Sequence, residues 1–239
     1  MKIKVKNVLV NYIQYGEGKD ILLLHGWGQN IDMMKMIGDN FSDRFRVTIL
    51  DFPGFGESDE PSDAWTIKDY SDMLEVFINE LNIKKPIIMG HSFGGRVAIR
   101  YSCNHVIDKL VLFGSPCIRH DTKLPLSTRI LKSIKKLPGM DKIGEFAKNY
   151  IGSRDYKAAS PIMRQTLVNV VNEDLSKFAR DIEEPTLLIW GDNDTEAPVE
   201  DAKELEGIMI DAALIVLPGS HYAYIENLGQ VINILNNFV

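Results

Sequence analysis

The chain has 239 residues, 45% hydrophobic and 25% charged, which is enough to bury one substantial core and leaves little room for two full domains. Its net charge of −6 weighs against a nucleic-acid partner, since such proteins carry a basic footprint. No stretch reaches the ~18 apolar residues a membrane span needs, and Met1 to Lys6 has no signal-peptide core, so the expectation is a cytoplasmic chain with no stable membrane association.

Lys2 to Tyr15 alternates apolar and polar residues and is expected to form an antiparallel hairpin at one sheet edge. Six short apolar runs follow: Ile21 to Leu24, Val47 to Leu50, Pro86 to Met89, Lys109 to Phe113, Thr186 to Trp190 and Leu214 to Leu217. Runs this continuous suit strands covered on both faces of a mainly parallel sheet. Between them lie helical patterns. Ile67 to Leu81 places Met73, Leu74, Phe77, Ile78 and Leu81 on one face, and Phe93 to Tyr101 and Val231 to Phe238 behave alike. Alternating strand and helix predicts an α/β fold, a doubly wound sheet with right-handed crossovers. The two cysteines, Cys103 and Cys117, suit buried free thiols in a reducing compartment better than a disulfide framework.

The rhythm breaks from about Cys117 to Glu184, where no strand-like run occurs and helical segments are interrupted at Pro125, Pro138, Gly139, Gly152 and Pro161. In Leu126 to Leu137, Leu126, Ile130, Leu131, Ile134 and Leu137 share a face. The expected organisation is a core of residues 1–116 and 185–239 with a helical cap, 117–184, inserted between two strands. The cap holds thirteen Lys and Arg against nine Asp and Glu, a net of +4, which leaves −10 for the rest of the chain. This charge reads first as a solvated helix face; attraction of anionic substrates stays open.

The most specific motif is Gly90-His91-Ser92-Phe93-Gly94-Gly95, placed directly after an apolar run and directly before a helical pattern. That context is the one a Gly-x-Ser-x-Gly nucleophile elbow requires. The serine sits on a turn so tight that residues two before and two after it must lack side chains. Its hydroxyl then stands above the sheet, at the positive end of a helix. A phosphate-binding loop is discounted, because neither a Gly-Lys-Ser/Thr ending nor Gly-x-Gly-x-x-Gly is present.

A hydroxyl at neutral pH needs a base beside it. Of the five histidines, His221 follows a strand-like run through Pro218-Gly219-Ser220, on a loop at the carboxyl end of a parallel strand, where ligands bind in open α/β sheets. The orienting acid is sought after the run ending at Trp190, where Gly191-Asp192-Asn193-Asp194 offers two aspartates. Asp194 lies further into the loop and is favoured, with Asp192 read as a turn cap. An elbow of this kind takes one oxyanion N–H from the residue after the nucleophile and another from the loop after an early strand. Those are Phe93 and Trp27, the latter in His25-Gly26-Trp27-Gly28. His25 is expected to anchor that loop by hydrogen bonds.

With these pieces the chain resembles the α/β-hydrolase superfamily over nearly its whole length. The resemblance rests on His25 to Gly28, Asp51-Phe52-Pro53-Gly54-Phe55-Gly56-Glu57-Ser58, Gly90 to Gly95, Gly191 to Asp194 with Pro198, and Gly219-Ser220-His221 with Glu226. The His-Gly-Trp-Gly turn is similar to that of small carboxylesterases, including the pimeloyl-ester type with a helical cap. Ser92 departs from the dehalogenase and epoxide-hydrolase branches, which carry aspartate there. The resemblance implies two-step acyl transfer on a small-molecule ester, with no metal or organic cofactor. Carbon–carbon bond hydrolysis of diketone-like substrates by the same triad is the alternative, followed by a ligand-binding module that kept the fold, and by a lipase using Leu126 to Leu137 as a membrane-facing lid.

Overall fold

A computed structural model describes residues 1–119 and 159–239. Eight strands form one sheet: β1 (Lys2–Val5), β2 (Val8–Tyr15), β3 (Lys19–Leu24), β4 (Phe45–Leu50), β5 (Ile87–His91), β6 (Lys109–Phe113), β7 (Thr186–Gly191) and β8 (Ala212–Leu217). Their order across the sheet is β1-β2-β4-β3-β5-β6-β7-β8. β1 and β2 make the antiparallel hairpin at one edge, with Lys2 opposite Asn11, and β2 pairs antiparallel with β4. From β4 onward every neighbouring pair is parallel.

The described helices, numbered in chain order, are α1 (Ile31–Gly38), α2 (Ile67–Glu80), α3 (Phe93–Ser102), α4 (Pro161–Asn172), α5 (Ser176–Ala179), α6 (Val199–Ile208), α7 (Ala223–Glu226) and α8 (Leu228–Phe238). Two of them start at well-formed caps. Thr66 and Asp69 close a capping box on α2, with Asp69 also accepting the Thr66 N–H, so two otherwise orphaned donors are satisfied. Ser160 caps α4 and Pro161 takes its first position, where a missing N–H costs nothing. That proline opens a helix rather than interrupting one.

Alternation along the strands splits the core in two. Leu22 and Leu24 of β3, Leu110 and Leu112 of β6, and Leu188 and Trp190 of β7 face a cluster covered by α2, α3, α4 and α6. Ile21 and Leu23, Val111 and Phe113, and Leu187 and Ile189 face the opposite cluster, covered by α1 and α8. Both faces of the central parallel strands are therefore buried, which is why these runs are nearly continuously apolar, whereas the edge strand β8 is largely not buried.

Of the expected cap, α4 and α5 lie between β6 and β7 as helices. The Leu126 to Leu137 face, His120 and the interruptions at Pro125, Pro138, Gly139 and Gly152 lie outside the described residues. Cys103 and Cys117 are both free thiols, the first half-buried and the second buried. Among the described residues no helix is long and apolar enough to cross a membrane.

Candidate active site

β5 ends at His91 and α3 begins at Phe93, leaving Ser92 alone at the turn. Its backbone is forced to φ 50°, ψ −113°, a left-handed conformation a side chain resists. The strain is held from both sides. The Ser92 N–H donates to the Phe113 carbonyl at 2.9 Å, and the Ser92 carbonyl accepts from the Arg96 N–H at 3.2 Å. A serine before a helix ordinarily caps it with its hydroxyl; Ser92 makes no such bond, so its Oγ is not consumed by the helix. A Cβ on Gly90 would lie 2.6 Å from the Gly95 nitrogen, and one on Gly94 would lie 2.3 Å from the Leu24 carbonyl oxygen. Glycine at these two positions is thus a packing requirement. The second also lets the loop after β3 close on the start of α3.

That loop carries His25 to Gly28. His25 Nδ1 donates to the Gly26 carbonyl at 2.7 Å and Nε2 accepts from the Phe52 N–H at 3.0 Å. Full burial lowers its pKa to about 4, so the ring is a neutral strut, as expected from the sequence. The Trp27 ring packs edge-on against Phe93 at 5.4 Å and Phe55 at 4.8 Å. Neither the Trp27 nor the Phe93 backbone N–H donates to another group among the described residues. The Asp51 turn supports the same loop: Asp51 follows β4 and accepts from the Ile31 N–H, the Asn11 amide and the Glu57 N–H.

Asp194 and His221 leave the ends of the neighbouring strands β7 and β8. His221 Nδ1 stands 2.8 Å from Asp194 Oδ2. The other carboxylate oxygen of Asp194, Oδ1, accepts from the Glu196 N–H at 2.9 Å and the Ala197 N–H at 2.8 Å, which aims Oδ2 at the histidine. The Ala197 carbonyl in turn accepts from Trp190 Nε1 at 2.8 Å, tying the loop to the core. Asp192 is exposed, and its Oδ1 accepts from the Gly219 N–H at 2.9 Å. The structure therefore brings Asp194 to the imidazole and leaves Asp192 as a staple between the two loops. The histidine loop is held again by Glu226, which accepts from the Ser220 N–H at 2.8 Å and Ser220 Oγ at 2.6 Å.

The remaining ring nitrogen, His221 Nε2, is buried and has no hydrogen-bond partner among the described residues. The ring lies beside the elbow, with the His91 ring centroid 4.9 Å away. Three further residues at this site, His91, Gln29 and Glu196, are not assigned a role by the sequence. His91 Nε2 lies 3.2 Å from the His221 carbonyl oxygen, and its Nδ1 lies 3.1 Å from Gln29 Oε1, which also accepts the Gly26 N–H. His91 and Gln29 thus connect the elbow, the histidine loop and the loop after β3. Burial, then the neighbouring His221, push the His91 pKa well below its ordinary value. Glu196 Oε2 stands 3.6 Å from His221 Nε2. Its one sequence signal is its place two residues beyond Asp194. Among the described residues no cluster of His, Cys, Asp and Glu has the makings of a metal site.

This fold, with a strained serine before a helix and a histidine–aspartate pair over the strand ends, defines a known class. The family described as alpha/beta hydrolase fold matches residues 20–140, and the chain belongs to it. A Bacillus subtilis relative, AB hydrolase superfamily protein YisY, is 27% identical and covers 93% of this chain and 92% of its own. The pimeloyl-[acyl-carrier protein] methyl ester esterase of Shewanella woodyi is 29% identical, covering 77% of this chain and 78% of its own. Among solved structures, the enol-lactonase of Burkholderia xenovorans superposes with a TM-score of 0.80 at 20% identity, over 100% of this chain and 99% of its own. The esterase of Exiguobacterium antarcticum gives 0.79 at 20% identity, over 99% and 98%. At these identities the two structures speak for the fold.

Proposed function

We propose that the chain is a serine hydrolase that cleaves carboxylic esters of small to medium substrates through an acyl-enzyme on Ser92. The observation that carries this reading is the 2.8 Å contact between His221 Nδ1 and Asp194 Oδ2, beside a serine whose hydroxyl is withheld from its helix. The ester preference has support from the Shewanella woodyi relative, named as a methyl ester esterase.

In the proposed reaction His221 Nε2 takes the proton as Ser92 Oγ attacks the ester carbonyl. Asp194 keeps the proton on Nδ1 and stabilises the imidazolium that forms. Negative charge collects on the former carbonyl oxygen, where the Trp27 and Phe93 N–H groups receive it, each worth roughly 3 kcal/mol in the transition state. The imidazolium then gives its proton to the departing alcohol. Water enters on the same side, His221 takes its proton, and the acyl-enzyme is hydrolysed. The residues that act are Ser92, His221 and Asp194, with no cofactor in any step.

The test is a series of p-nitrophenyl esters assayed with wild type and Ser92→Ala. Saturable hydrolysis by the wild type, lost in the variant, is expected. Equal rates for the two proteins would refute the assignment.

A further inference from the structure

Arg96 is the first full side chain of α3 beyond the elbow, since positions 94 and 95 are glycine. Its backbone N–H donates to the Ser92 carbonyl at 3.2 Å. The guanidinium turns away from the nucleophile and is buried. Nη1 donates to the Pro116 carbonyl, and Nη2 donates to the carbonyls of Val170 at 2.7 Å and Glu173 at 2.5 Å. Pro116 closes the core segment before the insertion, whereas Val170 and Glu173 lie inside the insertion, at the end of α4 and just after it. The two segments are also joined directly. The Leu175 N–H donates to the Cys117 carbonyl at 2.9 Å, and Arg119 bonds Asp174 and the Asn172 carbonyl, each at 2.7 Å.

A buried guanidinium is costly unless its donors are satisfied. Here Nη1 serves the Pro116 carbonyl and Nη2 the end of α4, whose last carbonyls have no helical partner and carry the negative end of the dipole, while Nε has no partner among the described residues. The other end of α4 packs on the turn after β4. Met163 lies so close to Gly54 that a Cβ there would be 2.4 Å from its sulfur. Thr166 Oγ1 accepts from the Trp65 N–H at 3.0 Å. Gly54 precedes Phe55, which packs on Trp27 and lies beside Phe93. One helix is thereby fixed both to the aromatic group beside the elbow and, through Arg96, to the helix that starts there.

We propose that Arg96 is a positioning residue that couples the nucleophile helix to α4, and that α4 held in this way fixes the room available to the acyl group. The inference rests on the esterase reading. Only a planar fork can serve three carbonyls on two segments, so lysine is not an equivalent.

The test uses the full-length protein as wild type, Arg96→Lys and Arg96→Gln; the lysine variant keeps the charge should the glutamine variant fail to fold. Three readouts are compared: kcat and KM for p-nitrophenyl acetate and octanoate, the rate of labelling by a small fluorophosphonate, and hydrogen exchange over residues 161–175. The expected result is faster exchange at 161–175, a KM for octanoate raised about tenfold, and acetate turnover and labelling within about threefold of wild type. Parallel losses on acetate, octanoate and labelling would overturn the proposal, as would unchanged exchange at 161–175. A wild type that turns over neither ester contradicts the esterase reading; the exchange comparison then still decides whether Arg96 couples the two helices.

Discussion

His221 and Asp194 stand 2.8 Å apart on loops that leave adjacent parallel strands, although 27 residues separate them in the chain. Two backbone N–H groups hold the far oxygen of Asp194, so the carboxylate is oriented before the histidine meets it. Asp192, two residues earlier, bonds the Gly219 N–H instead. The two aspartates therefore have separable consequences. Asp194→Asn is expected to lower kcat by about 10⁴, the cost of losing the correct tautomer, whereas Asp192→Asn should stay within about tenfold of wild type. Steady-state kinetics on one activated ester checks this; equal losses would contradict the assignment of the acid.

Glu226 acts on the same loop from outside. Its two bonds to Ser220 fix the residue before His221. Glu226→Gln removes the charge and weakens both, so kcat should fall about tenfold with KM little changed, as misplacement of a base does. A variant with unchanged kcat would show that Gly219 and Asp192 hold the loop by themselves.

Acid should destabilise the protein through its buried histidines. His25 has its pKa lowered from 6.5 to about 4 by burial, and the unfolded chain takes up a proton that the folded chain refuses. The stability this group contributes is complete above pH 6.5 and is lost as pH falls toward 4. The loss is about 3 kcal/mol, and His91 adds to it in the same direction. Urea midpoints measured from pH 7 to pH 4.5 should fall steadily, and His25→Gln should flatten that slope. A slope identical in the variant would exclude His25 as its source.

The capping box on α2 bonds Thr66 and Asp69 to each other and to none of the reacting groups. Thr66→Ala should cost about 1 kcal/mol and lower the thermal midpoint by a few degrees, with kcat and KM unchanged. Differential scanning calorimetry with a matched ester assay checks both halves of that expectation.

The sequence displays the sheet because parallel strands covered on both faces are nearly continuous apolar runs, and each of the six runs falls on a strand, including the less buried edge strand β8. The elbow is legible for a similar reason: Gly90 and Gly94 are demanded by backbone contacts under 3 Å, and such contacts leave a fixed spacing in the chain. α1 and α6 are far less visible. Ile31–Gly38 is short, and its Asn30 cap lacks an acid three residues on. Val199–Ile208 buries only Ala202 and Leu205, too few to show a helical period. The supporting residues of the site are illegible for another reason. His91 and Gln29 lie against each other and against backbone groups of other loops, and backbone groups carry no sequence identity.

The central claim is that Ser92 is an activated nucleophile. The most direct measurement is the intact mass of wild type and Ser92→Ala after exposure to a fluorophosphonate probe. One adduct on the wild type and none on the variant is the predicted result. An unlabelled wild type, or an adduct that persists in Ser92→Ala, would contradict the account.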